Sequence, residues 1–170
     1  MAVVSFVRLC ILGLLLGAPA QSARVQQNIA KDKLKYDHAQ GPVDRAKALG
    51  KLGRDEYVAA RQAIDAGKIN DAFELLKNYN DQVASTHEAL LKTGVDPEKH
   101  SNGFRQLQIS ARERARELKE LAERVAFRQR EPFSALQKDL DEFNQKLILE
   151  LFPRQPGNKH GPKNPQGANR

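Results

Sequence analysis

Apolar residues recur along this chain at steps of three and four, and in four stretches the spacing runs long enough to fix a helix. The first, residues 43–66, places Ala46, Leu49, Gly53, Tyr57, Ala60 and Ile64 on one face. The second, 71–93, repeats the period at Ala72, Leu76, Tyr79, Val83 and Leu90, with Leu75 and Leu91 widening the stripe. In the third, 103–128, Phe104, Leu107, Ala111, Ala115, Leu118, Ala122 and Val125 share a face while the other face is almost wholly charged. The fourth, 132–152, carries Phe133, Leu136, Leu140, Phe143, Leu147 and Leu151 at heptad spacing, the strongest periodic signal in the sequence.

The residues between these stretches punctuate them. Gly67 supplies the left-handed residue that closes a helix C-terminus. Asn70 is placed to cap the next helix and Asp71 to meet its dipole, so 43–93 reads as an αα-hairpin. Gly94, just before Asp96-Pro97, stops the second arm, and Ser101 or Asn102 can cap the third helix after a polar loop. Pro132 suits a first helical turn, where its missing N–H leaves no bond unmade. Each of these helices has one apolar stripe to cover, and the solution is an all-α fold, an antiparallel bundle of about four helices over 43–152. Residues 21–42 are polar, with Val25, Ile29 and Tyr36 at loose spacing before Gly41-Pro42, and are expected to be a linker or a frayed helix. Tyr57 and Tyr79 are expected at the edge of the core with solvated hydroxyls.

Composition adds an address. Residues 1–20 pair Arg8 with the apolar run Leu9–Gly17 and the small residues Ala18-Pro19-Ala20, the pattern of a secretory signal with cleavage after Ala20 or Ala23. The run is shorter than the roughly 20 residues that span lipid, so release is expected, without stable membrane insertion. Cys10 is the single cysteine, so cleavage leaves a chain without disulfide, thiolate or cysteine-based metal chemistry. The net charge of +7 is unevenly placed. Residues 153–170 hold Arg154, Lys159, Lys163 and Arg170 and no acid, whereas 21–152 carries 23 basic and 21 acidic residues, or +2. That tail, with four prolines and few apolar groups, is expected to be disordered and to make at most weak contact with anionic surfaces.

Candidate chemistry is sparse. His87-Glu88-Ala89-Leu90-Leu91 begins like the zinc-protease helix, which requires a second His where Leu91 stands. Asp96, Glu98, His100 and Asn102 alternate as cation ligands do, but Ser101 and Leu107 occupy the positions where a calcium loop needs Gly and Glu. Ser85, Ser101, Ser110 and Ser134 with His38, His87, His100 and His160 form no nucleophile elbow. Glu113, Glu117, Glu120 and Glu123 share the third helix with Arg105, Arg112, Arg114, Arg116, Arg124 and Arg128, which reads as a solvated face. Arg116–Glu120, Lys119–Glu123 and Glu120–Arg124 are expected i,i+4 pairs. The acids cancel most of the field and no aromatics are interleaved, so nucleic acid is not an expected partner. No catalytic, cofactor-binding or metal site is assigned.

Two resemblances bear on the fold. Gly67-Lys68-Ile69-Asn70-Asp71-Ala72-Phe73-Glu74-Leu75-Leu76 resembles the turn between the helices of a tetratricopeptide repeat. Glu56, Ala59 and Ala63 stand where that repeat has large apolar residues, Ala84 replaces its closing Pro, and no second copy follows. Residues 44–156 look like a family of small exported bacterial helical proteins of unassigned function, through Asp96-Pro97-Glu98-Lys99-His100, Gly103-Phe104-Arg105-Gln106-Leu107 and Leu151-Phe152-Pro153-Arg154. That resemblance implies a helical exported domain. The functional expectation is a non-enzymatic interaction or scaffold module of the cell envelope, periplasmic or extracellular, acting on a protein partner through its charged helix faces. The alternative is a bundle that holds an apolar small ligand in its core.

Overall fold

A computed structural model describes residues 19–153, and five helices account for most of them: α1 Pro19–Asp37, α2 Pro42–Asp65, α3 Ile69–Leu91, α4 Asn102–Arg124 and α5 Arg130–Leu151. A 3₁₀ turn, Phe127–Gln129, joins the last two. The all-helical bundle is as the periodicity predicts, with one helix more than expected. The addition is α1, where a linker or frayed helix was the expectation. Tyr36 holds it in place: its ring is buried, and its hydroxyl lies 3.2 Å from the Gln82 carbonyl and 3.0 Å from the Thr86 Oγ1 of α3. One aromatic anchor outweighs a poor stripe. Most of the expected signal segment and the tail beyond Pro153 lie outside the described residues, but α1 starts at Pro19, so both cleavage points fall in its opening turns.

The turn at Gly67 closes as a double hydrogen-bonded C-cap. Lys68 N donates to Ala63 O at 2.8 Å and Gly67 N to Ile64 O at 2.9 Å, with Gly67 at φ 73°. The reversal is so tight that Lys68 itself becomes the cap of α3, which begins at Ile69; Asn70 is therefore inside the helix and is not its cap. Asp71 keeps its place in the first turn. Ser101 stands at the N-cap of α4, though its side chain makes no capping bond. α4 stops at Arg124 rather than near 128, because Val125 turns into the core and Arg130 reaches back to cap the freed carbonyls, 2.9 Å from Val125 O and 3.1 Å from Glu123 O.

α2 sits at the centre, packed against α1, α3 and α4, while α5 lies chiefly on α4. The chain reverses at each connection, giving the bundle two poles. Asp65 and Arg124 meet at the Gly67 pole, 3.5 Å apart. His87 and Glu150 meet near the other, which we call the loop pole because residues 92–101 cross it. The α5 stripe buries Phe133, Leu136, Leu140, Leu147 and Leu151, but Asn144 takes the buried position expected of Phe143. Asn144 is satisfied there by Gln108 Nε2 at 2.9 Å, and Phe143 turns aside onto the His87 ring.

Tyr57 and Tyr79 are fully buried, contrary to the expectation of solvated hydroxyls. Their rings meet edge to face at 5.4 Å, and room for Tyr79 exists because position 53 is glycine. A Cβ there would lie 2.3 Å from Tyr79 Cε2, and a ring enclosed on all sides cannot retreat. Gly53→Ala is expected to destabilise the protein by about 1 to 3 kcal/mol through overpacking. At Gly50, three residues earlier on α2, an added Cβ meets nothing within 4 Å. Gly50→Ala should instead be neutral or stabilising by up to about 1 kcal/mol. Urea unfolding midpoints of the two variants check the contrast, and equal midpoints would contradict the packing.

Candidate functional site

The bundle interior contains an acid that the apolar pattern conceals. Glu56 on α2 is only 1 % exposed, and its Oε1 accepts from Asn78 Nδ2 and from Gln82 Nε2 of α3, each at 3.2 Å. Its Oε2 and the Oε1 of Gln82 are both buried without a hydrogen-bond partner. Burial pushes the carboxyl up to about 7, against the lesser opposing pull of the Gln82 amide, Lys33 and the Asn78 amide. A neutral carboxyl accounts for these facts together. A proton on Oε2 would supply a donor where Glu56 Oε2 and Gln82 Oε1 both stand without a partner.

A second polar group lies where α2, α3 and α4 meet. Tyr79 shares a hydrogen bond with Ser110 at 2.8 Å, and Arg114 lies over the Tyr57 ring with its guanidinium carbon 5.5 Å from the centroid. Burial raises both phenols well above the usual tyrosine range, so neither serves as a base near neutrality. Arg114, expected on a solvated face, is buried, and its charge is met by Glu117 at 2.8 Å and Glu113 at 3.5 Å. The aliphatic stem and ring contact explain the difference: an arginine can enter a core edge when its head finds acids on its own helix. Of the expected i,i+4 pairs on α4, none closes to ion-pair distance, and Arg124 reaches Asp65 of α2 instead.

The residues singled out from the sequence are dispersed. His87 is buried, 2.7 Å from Glu150 Oε2, with its ring edge to face against Phe104 and Phe143. Ser110 is engaged by Tyr79, whereas Ser85, Ser134 and His38 are exposed on separate helices or ends; His160 lies outside the described residues. Asp96 organises the loop, accepting from Glu98 N on its side chain and from His100 N on its carbonyl. Among the described residues no group of three or more His, Cys, Asp or Glu is arranged to hold a metal. Asp32 of α1 and Asp55 of α2 do approach one another. Lys35 lowers the Asp32 carboxyl, while burial and then the neighbouring Asp32 raise Asp55. The clefts described below involve neither aspartate.

Two clefts of similar size open at the loop pole. One, of about 600 Å³, has apolar walls from Pro42, Val43, Leu90 and Phe104 and a rim from Thr93, Val95, Lys99, His100, Ser101 and Asn102. Behind two of its walls Gly103 leaves no room for a side chain, since a Cβ there would lie 2.5 Å from Leu90 Cδ2 and 3.2 Å from Val43 Cγ2. The second, also about 600 Å³, lies between α4 and the end of α5 and combines the charged and polar Glu98, Arg105, Gln108 and Arg112 with apolar side chains that include Ile148 and Phe152. Ser101 borders both. His100, Asn102, Ser101 and Glu98, read from the sequence as possible cation ligands or a cap, are thus divided between the borders of two clefts, the first mainly apolar and the second mixed.

Sequence reasoning missed Glu56 and Arg114 as interior residues. For Glu56 a signal was present: it stands one helical turn after Gly53 and one before Ala60, and where a tetratricopeptide hairpin has an inward aromatic. Arg114 gave one as well: it stands three residues after Ala111 and four before Leu118, in register with the apolar face of its helix. Comparison with protein-family models, with curated proteins and with solved structures returns no match.

Proposed function

We propose that this chain is an exported, non-enzymatic binding module whose target engages the loop pole. The observation that carries the reading is the cleft of about 600 Å³ walled by Pro42, Val43, Leu90 and Phe104, a size and lining suited to one apolar group with polar rim atoms to orient it. The interior titratable groups support binding over catalysis: Glu56, Tyr57 and Tyr79 are enclosed by packed helices, and His87 is committed to Glu150. The binding surface is set at the end of the bundle, which modifies both functional expectations. It is neither a charged helix face nor the centre of the core. Export rests on the sequence pattern of residues 1–20; among the described residues no helix is long and apolar enough to cross a membrane.

The test uses anilinonaphthalene sulfonate, an apolar anionic fluorophore, titrated into the full chain under native conditions. One saturable site per chain is expected. Val95→Asp, at a rim residue already 38 % exposed, should weaken it by about tenfold or more, whereas Val58→Asp, at a comparably exposed site on α2, should not. No saturable site, or equal binding by both variants, would overturn the cleft.

A further inference from the structure

The buried acid and the anchor of α1 meet on one residue of α3. The Gln82 side chain donates to Glu56 Oε1 at 3.2 Å, while the Gln82 carbonyl lies 3.2 Å from the Tyr36 hydroxyl. Among the described side chains of α1 Tyr36 alone is buried, with Ile29 packed partly against the core and Arg45 of α2 over the Tyr36 ring at 5.2 Å. Apart from the reach of that hydroxyl to α3, α1 packs on α2 alone. No other helix of the bundle is held by so few buried side chains.

The seam between α1 and its neighbours is built from carboxyls. Glu56, 1 % exposed, takes both of its donors on Oε1 and has none on Oε2. Beside it on α2, the Asp55 carboxyl is within hydrogen-bond reach of Asp32 of α1. Two carboxyls bond in this way only when one of them carries a proton. Burial and then Asp32 raise Asp55, whereas Lys35 lowers Asp32, so the shared proton rests on Asp55. Lys33 of α1 faces Glu56, but it is held by Asp37 at 3.3 Å and makes no ion pair with Glu56 among the described residues. Lys35 acts on both aspartates, with Lys51 facing Asp32 and Arg54 facing Asp55 from α2. Tyr57 of α2 and Tyr79 of α3 feel the Glu56 charge, and from α4 Arg114 comes to the Tyr57 ring, where Glu113 and Glu117 meet its own charge.

We propose that α1 is a proton-controlled arm, docked along α2 while Glu56 and the Asp32–Asp55 pair hold their protons and released from α2 when they lose them. An ionised Glu56 needs donors on Oε2 that the closed bundle does not supply, and water supplies them only if a covering helix moves. Parting α2 from α3 would break the enclosed Tyr57–Tyr79 ring pair, whereas lifting α1 uncovers chiefly Tyr36. The arm is therefore the element that yields. Loss of the Asp55 proton acts in the same direction, because it sets two carboxylates against one another across the same seam. The docked arm holds these protons more tightly than the released arm does, so docking is favoured in acid and weakens as the pH rises through about 7, where burial holds Glu56. Residues 38–41, which join α1 to Pro42, include no buried side chain, and the arm pivots there. The device is separate from the cleft at the loop pole, none of whose lining residues lies on α1.

The experiment is amide hydrogen exchange of the full chain, read by mass spectrometry at pH 5 and pH 8.5 with labelling times scaled for the intrinsic pH dependence of exchange. Protection of peptides within residues 24–37 should fall by about tenfold or more at the higher pH, while peptides of α4 and α5 keep theirs. Glu56→Gln, which has nothing to ionise, should hold α1 protected at pH 8.5. Asp55→Asn, which still donates to Asp32, should lessen the fall. Tyr36→Phe should lower the protection of α1 at both pH values, because it removes the anchor and not the titrating group. Equal protection of α1 at the two pH values would overturn the proposal, and so would a loss shared by all five helices, which is global unfolding. A fall undiminished in either carboxyl variant, or Tyr36→Phe protected like wild type, would overturn it as well.

Discussion

Glu56→Gln should make the protein more stable than wild type at pH 8 by about 2 to 3 kcal/mol, and should remove most of the fall in stability between pH 5 and pH 8. The folded state holds this carboxyl at about 7 against an ordinary 4.5. A raised value means that the native protein binds the proton more tightly than the unfolded chain does. Its stabilising contribution is therefore present in full below about pH 4.5, declines as the unfolded chain ionises, and is lost once the pH passes about 7. A difference of that size corresponds to about 3 kcal/mol. Glutamine keeps the carbonyl that accepts from Asn78 and Gln82 and offers an N–H for the orphaned Gln82 oxygen, with nothing to ionise. Urea unfolding of both proteins at pH 5, 7 and 8.5 measures the divergence. Parallel curves would show that Glu56 is ionised in the native protein and draws its compensation from elsewhere.

Leu140→Ala should lower stability by about 2 to 5 kcal/mol. Leu140 is 2 % exposed within the most periodic stripe of the chain. It lies in the row with Phe133, Leu136 and Leu147 that covers α4 and meets α3 beside Val83. Removing it deletes apolar area and leaves space that neighbours already in contact close only in part. The urea midpoint should fall with the slope unchanged, because the surface exposed on unfolding is nearly the same. A loss below about 0.5 kcal/mol would mean that α5 is free to slide over the gap. The same measurement on Leu149→Ala, one position from the buried face and exposed, should give a change within about 0.5 kcal/mol, which ties the effect to burial and not to helix propensity.

The sequence by itself determined the repeating part of this protein. Helix period follows from local geometry, so any residue whose fate depends on its neighbours three and four positions away was legible: Ala46 through Ile64, Ala72 through Leu90, the α4 face from Phe104 to Val125, and five of the six stripe residues of α5 are buried. Gly67 and Gly94 were equally legible, because a left-handed backbone is a demand on one residue alone. Tertiary structure decided whatever depends on a partner distant in sequence. Tyr36 makes α1 a packed helix through a bond to residues 46 and 50 positions away. Glu56 enters the core because Asn78 and Gln82 arrive from α3, and Gly53 is kept small by a ring 26 positions later. Asn144 displaces Phe143 because Gln108 is there to receive it. The loop pole belongs to the same kind: Val43, Leu90 and Phe104 come from three different helices, and only the packing of α2, α3 and α4 makes them walls of one cleft. Periodicity specifies which face of a helix turns inward, whereas the pairing of helices, which rests on contacts between side chains, sets what stands at the ends.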